Sequence, residues 1–298
     1  MNLDPVSLQL FIRTIEEGTI ARAAEKEHIA AAAISKRISD LEAALKSVLI
    51  VRTNRGVVPT SAGLALITMA RRVLHDLNEI SVQISEYSSG VRGLVRVCAN
   101  ISAITQFLPQ DIKSFHNLYP DVQIHLEEQI SPTILKSVQD NAADIGIFSS
   151  SYAYERVKTL SYKQDRLLLI VPVGHPLATK DSCTLTDILT YNFIGLHSGS
   201  NINHIISSAA STLRRNVNMT VQVTGFDTLC LMVESGLGLG VMPERIAHRY
   251  AAIFDVVPLP IAEPWTVRHL DICVRSLDSL PTAARLFVDH LRRGIPAD

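Results

Sequence analysis

TIARAAEKEHIAAAAISKRISDL, residues 19–41, is the stretch whose reading decides the fold. Thr19 can cap a short helix from Ile20 to about Glu27, in which Ala23 and Ala24 allow close packing. A second helix follows His28-Ile29. Its Ile34, Ile38, Leu41 and Leu45 recur at i, i+4, i+7 and i+11 and must turn inward. That leaves Ala31, Ala32, Ser35, Lys36 and Ser39 on the outer side. Small residues there let a helix approach base edges, and Lys36 with Arg37 can reach phosphates or a guanine. Upstream, Asp4-Pro5 opens a further helix with Leu8, Phe11, Ile12 and Ile15 on one face, and Gly18 suits a left-handed stop. Spacing alone fits a helix-turn-helix and an ordinary three-helix bundle equally well.

Downstream, Arg52-Thr53-Asn54-Arg55-Gly56 is a basic turn between the apolar runs Val48–Val51 and Val57-Val58, as a two-stranded wing requires. Arg55 at its tip can enter a minor groove or touch a phosphate, and a merely solvated turn is the alternative. From Thr60-Ser61-Ala62-Gly63 a helix runs without Gly or Pro until Gly90. Leu66, Ala70, Val73, Leu77, Ile80, Ile84 and Tyr87 step alternately by four and three along it, the apolar seam of a coiled coil. Self-pairing would present two reading helices to a two-fold related DNA site. Packing of the seam on the chain's own C-terminal part is the other possibility.

The remaining two hundred residues alternate strands and helices. Leu94–Val97, Val122–Leu126, Asp144–Phe148 and Leu167–Val171 read as strands, with helices over Phe107–Leu118 and Ile134–Asn141 between the first of them. Such βαβ alternation implies parallel strands with helical crossovers. After the first strand comes Ala99-Asn100-Ile101-Ser102, where free N–H groups at a helix start and two short polar side chains converge. That suits an anion such as a carboxylate. Ser131 follows the second strand; Phe148 closes the third, with Ser149 and Ser150 following it, as further candidates for the lining. Ser198-Gly199-Ser200-Asn201 precedes a later helix, and Phe226-Asp227-Thr228 opens another. Each of these polar residues can equally be a helix cap.

Formal net charge is −1 over 298 residues, so DNA contact must rest on local cations, Lys36, Arg37, Arg52 and Arg55, with steep salt dependence. No export signal opens the chain and no apolar run is long enough to span a bilayer, which points to a cytoplasmic protein. The four cysteines are scattered without metal spacing. Cys98, Cys230 and Cys273 sit in apolar strings, whereas Cys183 lies in a polar loop and is the one candidate for redox chemistry. No G-x-S-x-G elbow, P-loop or H-E-x-x-H occurs, so neither catalysis, cofactor nor metal is expected.

Across essentially its whole length the chain resembles the LysR-type transcriptional regulators of bacteria. Leu10-Phe11, Thr19–Ala24, Ala33–Ile38, Leu41-Glu42, Leu49, Arg52 and Thr60–Gly63 carry the resemblance in the head. Gly174-His175-Pro176-Leu177-Ala178, Leu185–Leu189 and Ser235–Pro243 carry it later. The resemblance implies a winged helix-turn-helix over 1–60, a linker and dimerisation helix over 61–90, and an effector-binding domain over 91–298. That domain would have two α/β lobes of periplasmic-binding-protein type, lobe I being 91–161 with 269–298 and lobe II 162–268. The cleft between them would take a small effector, with Asn100, Ser102 and Ser131 at polar contacting positions. The resemblance further implies a homotetramer built as a dimer of dimers, dyad-symmetric promoter DNA and RNA polymerase as partners, and no membrane association. Where the family usually has Ser-Gln-Pro or Ser-Gln-Ser, this chain has Ala30-Ala31-Ala32, so the usual base-reading Gln is replaced by a methyl that can meet thymine. Lys46 stands where a Gly is usual, Ile50 where a Phe is, and Asn100 where Ser or Thr is common. A redox-responsive regulator acting through Cys183, a solute-binding protein and an enzyme are the competing readings.

Overall fold

The computed structural model describes residues 3–53, 56–89, 91–149 and 157–293. They form two compact units, the first running to Arg92, with residues 140–142 grouped to it, and the second from Gly93.

The first unit contains α1 (Pro5–Glu16), α2 (Ile20–Lys26), α3 (Ala31–Leu45), the hairpin β1 (Ile50–Thr53) and β2 (Gly56–Pro59), and the long α4 (Ser61–Ser89). Each boundary has a local cause. The Asp4 carboxylate accepts the Ser7 N–H at 3.0 Å with Pro5 at the first helical position, and Thr19 Oγ1 accepts the Arg22 N–H at 3.2 Å. Helix α3 ends on Lys46 at φ +51°, a left-handed conformation that a side chain adopts only at a cost. The core is Leu8, Phe11, Ile12, Ala23, Ala24, Ile34, Ile38, Leu41 and Leu49, so the helical face expected to turn inward does so. Glu42 ties α3 to the hairpin, its Oε1 accepting the Leu49 N–H at 2.8 Å and the Ile50 N–H at 3.2 Å. Gly63 must be glycine, because a Cβ there would lie 2.1 Å from the Leu49 carbonyl oxygen.

The expected pairing seam requires correction at its start. Leu66 and Ala70 are 7% and 1% exposed and belong to the head's own core, since the first turns of α4 pack on α1. Farther along, Val73, Leu77 and Ile80 are exposed, as is Met69. At 100° per residue these four fall within roughly 80° of the helix circumference, a single apolar stripe. The side chain of Ile84 lies outside the described residues.

The second unit begins with β3 (Gly93–Ala99), α5 (Ile101–Gln106), α6 (Leu108–Leu118), β4 (Val122–Glu128), α7 (Ser131–Gln139) and β5 (Ile145–Ser149). The long β6 (Lys158–Pro172) then leads to α8 (Leu185–Ile188), β7 (Asn192–Leu196), α9 (Asn201–Thr212), β8 (Asn218–Val223) and α10 (Phe226–Glu234). After these come β9 (Leu239–Pro243), α11 (Glu244–Ala251), β10 (Val256–Pro260), β11 (Val267–Val274) and α12 (Thr282–Leu291). The first lobe has strand order β4-β3-β5-β11-β6, with β3 parallel to β4 and β5 and β11 antiparallel to β5 and β6. The second is built on the C-terminal half of β6, flanked by β10 and β9, with β7 and β8 beyond. Strand β6 therefore serves both lobes. Its pairing with β11 reaches Arg166 opposite Val267, and from Leu167 it pairs with β9. The crossing points thus lie near 166 and 267 instead of at 161 and 268, because Lys163 to Arg166 still pair with β11. Leu167 to Val171 are all buried, as befits a strand covered on both faces.

Candidate functional sites

In the head, Ala31, Ala32, Lys36 and Ser39 are exposed on α3, while Ser35 and Arg37 are half-buried. The cations on this face differ in their surroundings. Arg37 turns back toward α1, where Nη1 lies 3.3 Å from Asp4 Oδ1 and 3.1 Å from Ser7 Oγ. Arg52, on the hairpin, donates from Nη2 to Ser35 Oγ at 3.0 Å and so links wing and helix. Lys36 makes no ion pair within the described residues, and its ammonium is available to an external anion. Arg55, expected at the wing tip, lies outside the described residues. Helix α3 thus exposes the methyl groups of Ala31, Ala32 and Ala33, the Lys36 ammonium and, farther along, the Ser39 hydroxyl and the Asp40 carboxylate, close to an anchored arginine.

In the second unit, the starts of α5 and α7 from the first lobe meet the start of α9 from the second around a cavity of about 20 Å³. That is room for about one water molecule. Asn100 caps α5, its Oδ1 accepting the Ala103 N–H at 2.9 Å while its Nδ2 donates to Ser149 Oγ at 3.0 Å. Ser149 therefore supports Asn100 from behind. Ser102, Ser131 and Asn201 line the cavity directly, together with Gln129 and Ser200. Gly199, at φ +89°, lets the α9 loop approach Ile130, where a Cβ would come within 2.9 Å. A wider pocket of about 580 Å³ adjoins this cavity through Ser131, Gly199, Ser200 and Asn201, and Ser198 stands exposed in its wall.

Three residues expected at the cleft lie elsewhere. Phe148 and Phe226 are fully buried in the cores of their respective lobes, because strand alternation in β5 and the first turn of α10 point their rings inward. Asp227 is exposed in the first turn of α10 and lines none of these cavities.

One residue at the cleft carries no signal in the sequence. Arg268, at the start of β11, is 4% exposed and lines the small cavity. Its Nε donates to Asp165 Oδ1 at 2.9 Å, while Nη2 bonds both Asp165 Oδ2 and, at 3.2 Å, Ser102 Oγ. Gln106 Nε2 adds a bond to Asp165 Oδ2 at 2.8 Å. The pair bridges β6 and β11 where the chain passes between lobes. Nη1 of Arg268 is buried without a hydrogen-bond partner among the described residues. Buried donors of a charged group are seldom left unmade, since each costs more than a neutral one.

Cys183 is also corrected. It is 2% exposed, held at the edge of lobe II by the bridge to Ile261, and its Sγ is 3.6 Å from the Pro260 carbonyl oxygen. Burial pushes its thiol up to about 11, and those of Cys230 and Cys273 up to about 12. Cys98 is shifted upward for the same reason. None of the four has the depressed pKa and access that a reactive thiolate needs. Among the described residues no His, Cys, Asp and Glu cluster could hold a metal ion, and no helix is long and apolar enough to cross a membrane.

Comparison with known proteins adds family and fold. The description "Bacterial regulatory helix-turn-helix protein, lysR family" matches residues 6–64, and "LysR substrate binding domain" matches residues 88–296. The HTH-type transcriptional regulator YbhD of Escherichia coli K12 is 28% identical over 283 residues, covering 94% of this chain and 89% of that protein. The transcriptional activator protein LysR of the same organism is 26% identical over 293 residues, covering 97% and 92%. A full-length OxyR variant from Pseudomonas aeruginosa has the same fold, with a TM-score of 0.77 at 20% identity over 98% of this chain and 96% of that one. The effector-binding domain of QuiR in complex with shikimate superposes with a TM-score of 0.61 at 20% identity, covering 68% of this chain and 96% of that chain.

Proposed function

Because this chain belongs to the LysR family of DNA-binding transcriptional regulators, we propose that its activity is set by a small organic anion held between the two lobes of the second unit. The observation that carries this reading is the cavity where the starts of α5, α7 and α9 converge with Arg268. Free N–H groups and helix dipoles favour negative charge there. QuiR, of like fold, holds shikimate, a hydroxylated carboxylate, which is consistent with the chemistry of this cleft.

In this reading α3 enters the major groove with Ala31, Ala32, Lys36 and Ser39 outermost. The methyl groups favour a half-site rich in thymine contacts over one read by an amide side chain. Exposed Val73, Leu77 and Ile80 pair two heads, and a dimer of dimers forms through the sensor units. Ligand binding alters how the lobes close, which shifts head spacing on dyad-symmetric DNA and contact with RNA polymerase. Such coupling requires different ligand affinities in the two arrangements. The protein works in the cytoplasm and catalyses no reaction.

Binding of a panel of small carboxylates to the full chain by calorimetry, with and without promoter DNA, tests the proposal. A carboxylate that binds and changes DNA affinity supports it. A chain whose only ligands are cationic, or whose DNA affinity is indifferent to every bound carboxylate, contradicts it.

A further inference from the structure

The proposed effector cleft contains a charge balance that narrows its ligand further. Arg268 is already neutralised by Asp165 through a two-point ion pair, and Asp165 receives a third bond from Gln106. What remains unused is one buried donor, Nη1 of Arg268. The N-termini of α7 and α9, helices of nine and twelve residues, border the same cavity. Dipoles and one hydrogen-bond donor can compensate a single negative charge. Glu128, exposed at the rim of the same cavity, adds a negative charge to its wall, and His197 and Arg268 are the basic side chains among its described lining residues. A dianion would bring a second charge against that carboxylate into a partly buried site, which is strongly unfavourable.

Geometry sets the shape of the ligand. The inner cavity of about 20 Å³ has room only for the tip of a head group. The adjoining pocket of about 580 Å³ can hold a body of many atoms, and its wall includes Pro132, Met219, His204 and Gln222. Val267 and His269 alternate to the other face of β11, so they do not compete for the Arg268 guanidinium.

We propose that Arg268 is the specificity-determining anchor of the cleft, its Nη1 binding one carboxylate oxygen of an elongated organic monocarboxylate whose body lies in the outer pocket. This rests on the reading of the cleft as an effector site. Because Arg268 lies on the strand that returns from lobe II to lobe I, a ligand that engages it acts on the hinge itself.

The test uses the full chain and acetate, benzoate and shikimate as probes, each against its neutral amide and against succinate at equal ionic strength. Monocarboxylates should raise the melting temperature of the wild type beyond chloride, and their amides and succinate should not. Arg268→Gln alone strands Asp165 and can fail to fold, so the decisive variant is Arg268→Gln with Asp165→Asn, a neutral pair of similar shape. It should bind the carboxylates about tenfold to a hundredfold more weakly, the loss expected for a charged hydrogen bond. Arg268→Lys should retain part of the affinity. Equal binding of carboxylate and amide, equal affinity in the double variant, or no monocarboxylate effect in the wild type would each overturn the anchor. The broader effector reading fails separately, if the chain binds only cationic compounds or if no bound carboxylate changes its DNA affinity.

Discussion

Replacing Lys36 with alanine is the sharpest probe of the reading face. Lys36 is exposed on α3 and makes no ion pair within the described residues, whereas Arg37 beside it is bonded to Asp4 and Ser7. A free lysine that meets a phosphate releases counterions on binding and contributes roughly 0.9 to the slope of log affinity against log salt. A paired head doubles this to about 1.8. Over a fourfold rise in salt, wild-type affinity should then fall roughly tenfold more than that of Lys36→Ala. Arg37→Ala should change the slope less, because the Asp4 carboxylate already compensates part of its charge. Fluorescence anisotropy of a labelled promoter fragment at several salt concentrations measures both slopes. An unchanged slope for Lys36→Ala, or an equal loss for Arg37→Ala, would refute the assignment of charge on this face.

Other expected outcomes follow from packing and titration. Leu77 is 41% exposed, so pairing would bury the rest of two copies for about 2 kcal/mol in all. Leu77→Glu should therefore weaken self-association of the full chain at least thirtyfold in sedimentation equilibrium, and an unaltered oligomer would remove the α4 stripe from the interface. Gly63→Ala places a methyl 2.1 Å from a backbone oxygen and should lower stability by about 1–3 kcal/mol in urea unfolding; wild-type stability would contradict that contact. With Cys183 raised to about 11 and Cys230 and Cys273 to about 12, the folded chain holds these protons longer than the unfolded chain does. Their stabilisation is fully present below the ordinary thiol value of 9.0 and is lost as pH rises from there through 11 to 12. At pH 7.5 a thiol reagent should label none of the four cysteines quickly until the protein is denatured; fast labelling of Cys183 would revive a redox role.

The head was legible because its signals are local. Leu8, Phe11 and Ile12 on α1 and Ile34, Ile38 and Leu41 on α3 each recur at helical spacing, and all of them are buried. The same periodicity misled at Leu66 and Ala70, since it reports that a face is apolar and not what covers it. In the second unit, β6 shows its double duty in KTLSYKQDRLLLIVP, an alternating half followed by an unbroken apolar half. Where one lobe gives way to the other depends on pairing with β11, a hundred residues away, and local pattern places it only within a few residues.

The cleft was partly legible for the same reason. Asn100, Ser102 and Ser131 stand at strand-to-helix junctions, which turn patterns reveal, and the structure puts Asn100, Ser102, Ser131 and Asn201 around one cavity. Arg268 was not legible. In Val267-Arg268-His269-Leu270 a charged residue in alternation reads as a solvent-facing position, and its burial depends on Asp165, 103 residues earlier. Phe148 and Phe226 sit beside the right loops, yet backbone direction sends their rings into the cores. Cys183 looked accessible because its neighbours Asp181, Ser182 and Thr184 are polar; its contact with Pro260 and Ile261 is wholly tertiary.

Footprinting of the purified chain on sheared genomic DNA from its source tests the central claim most directly. Protection of a few dyad-symmetric sites, with spacing or extent altered by a monocarboxylate, is the predicted result. Uniform binding that tracks only salt, with no enriched site in either condition, would contradict a sequence-reading regulator.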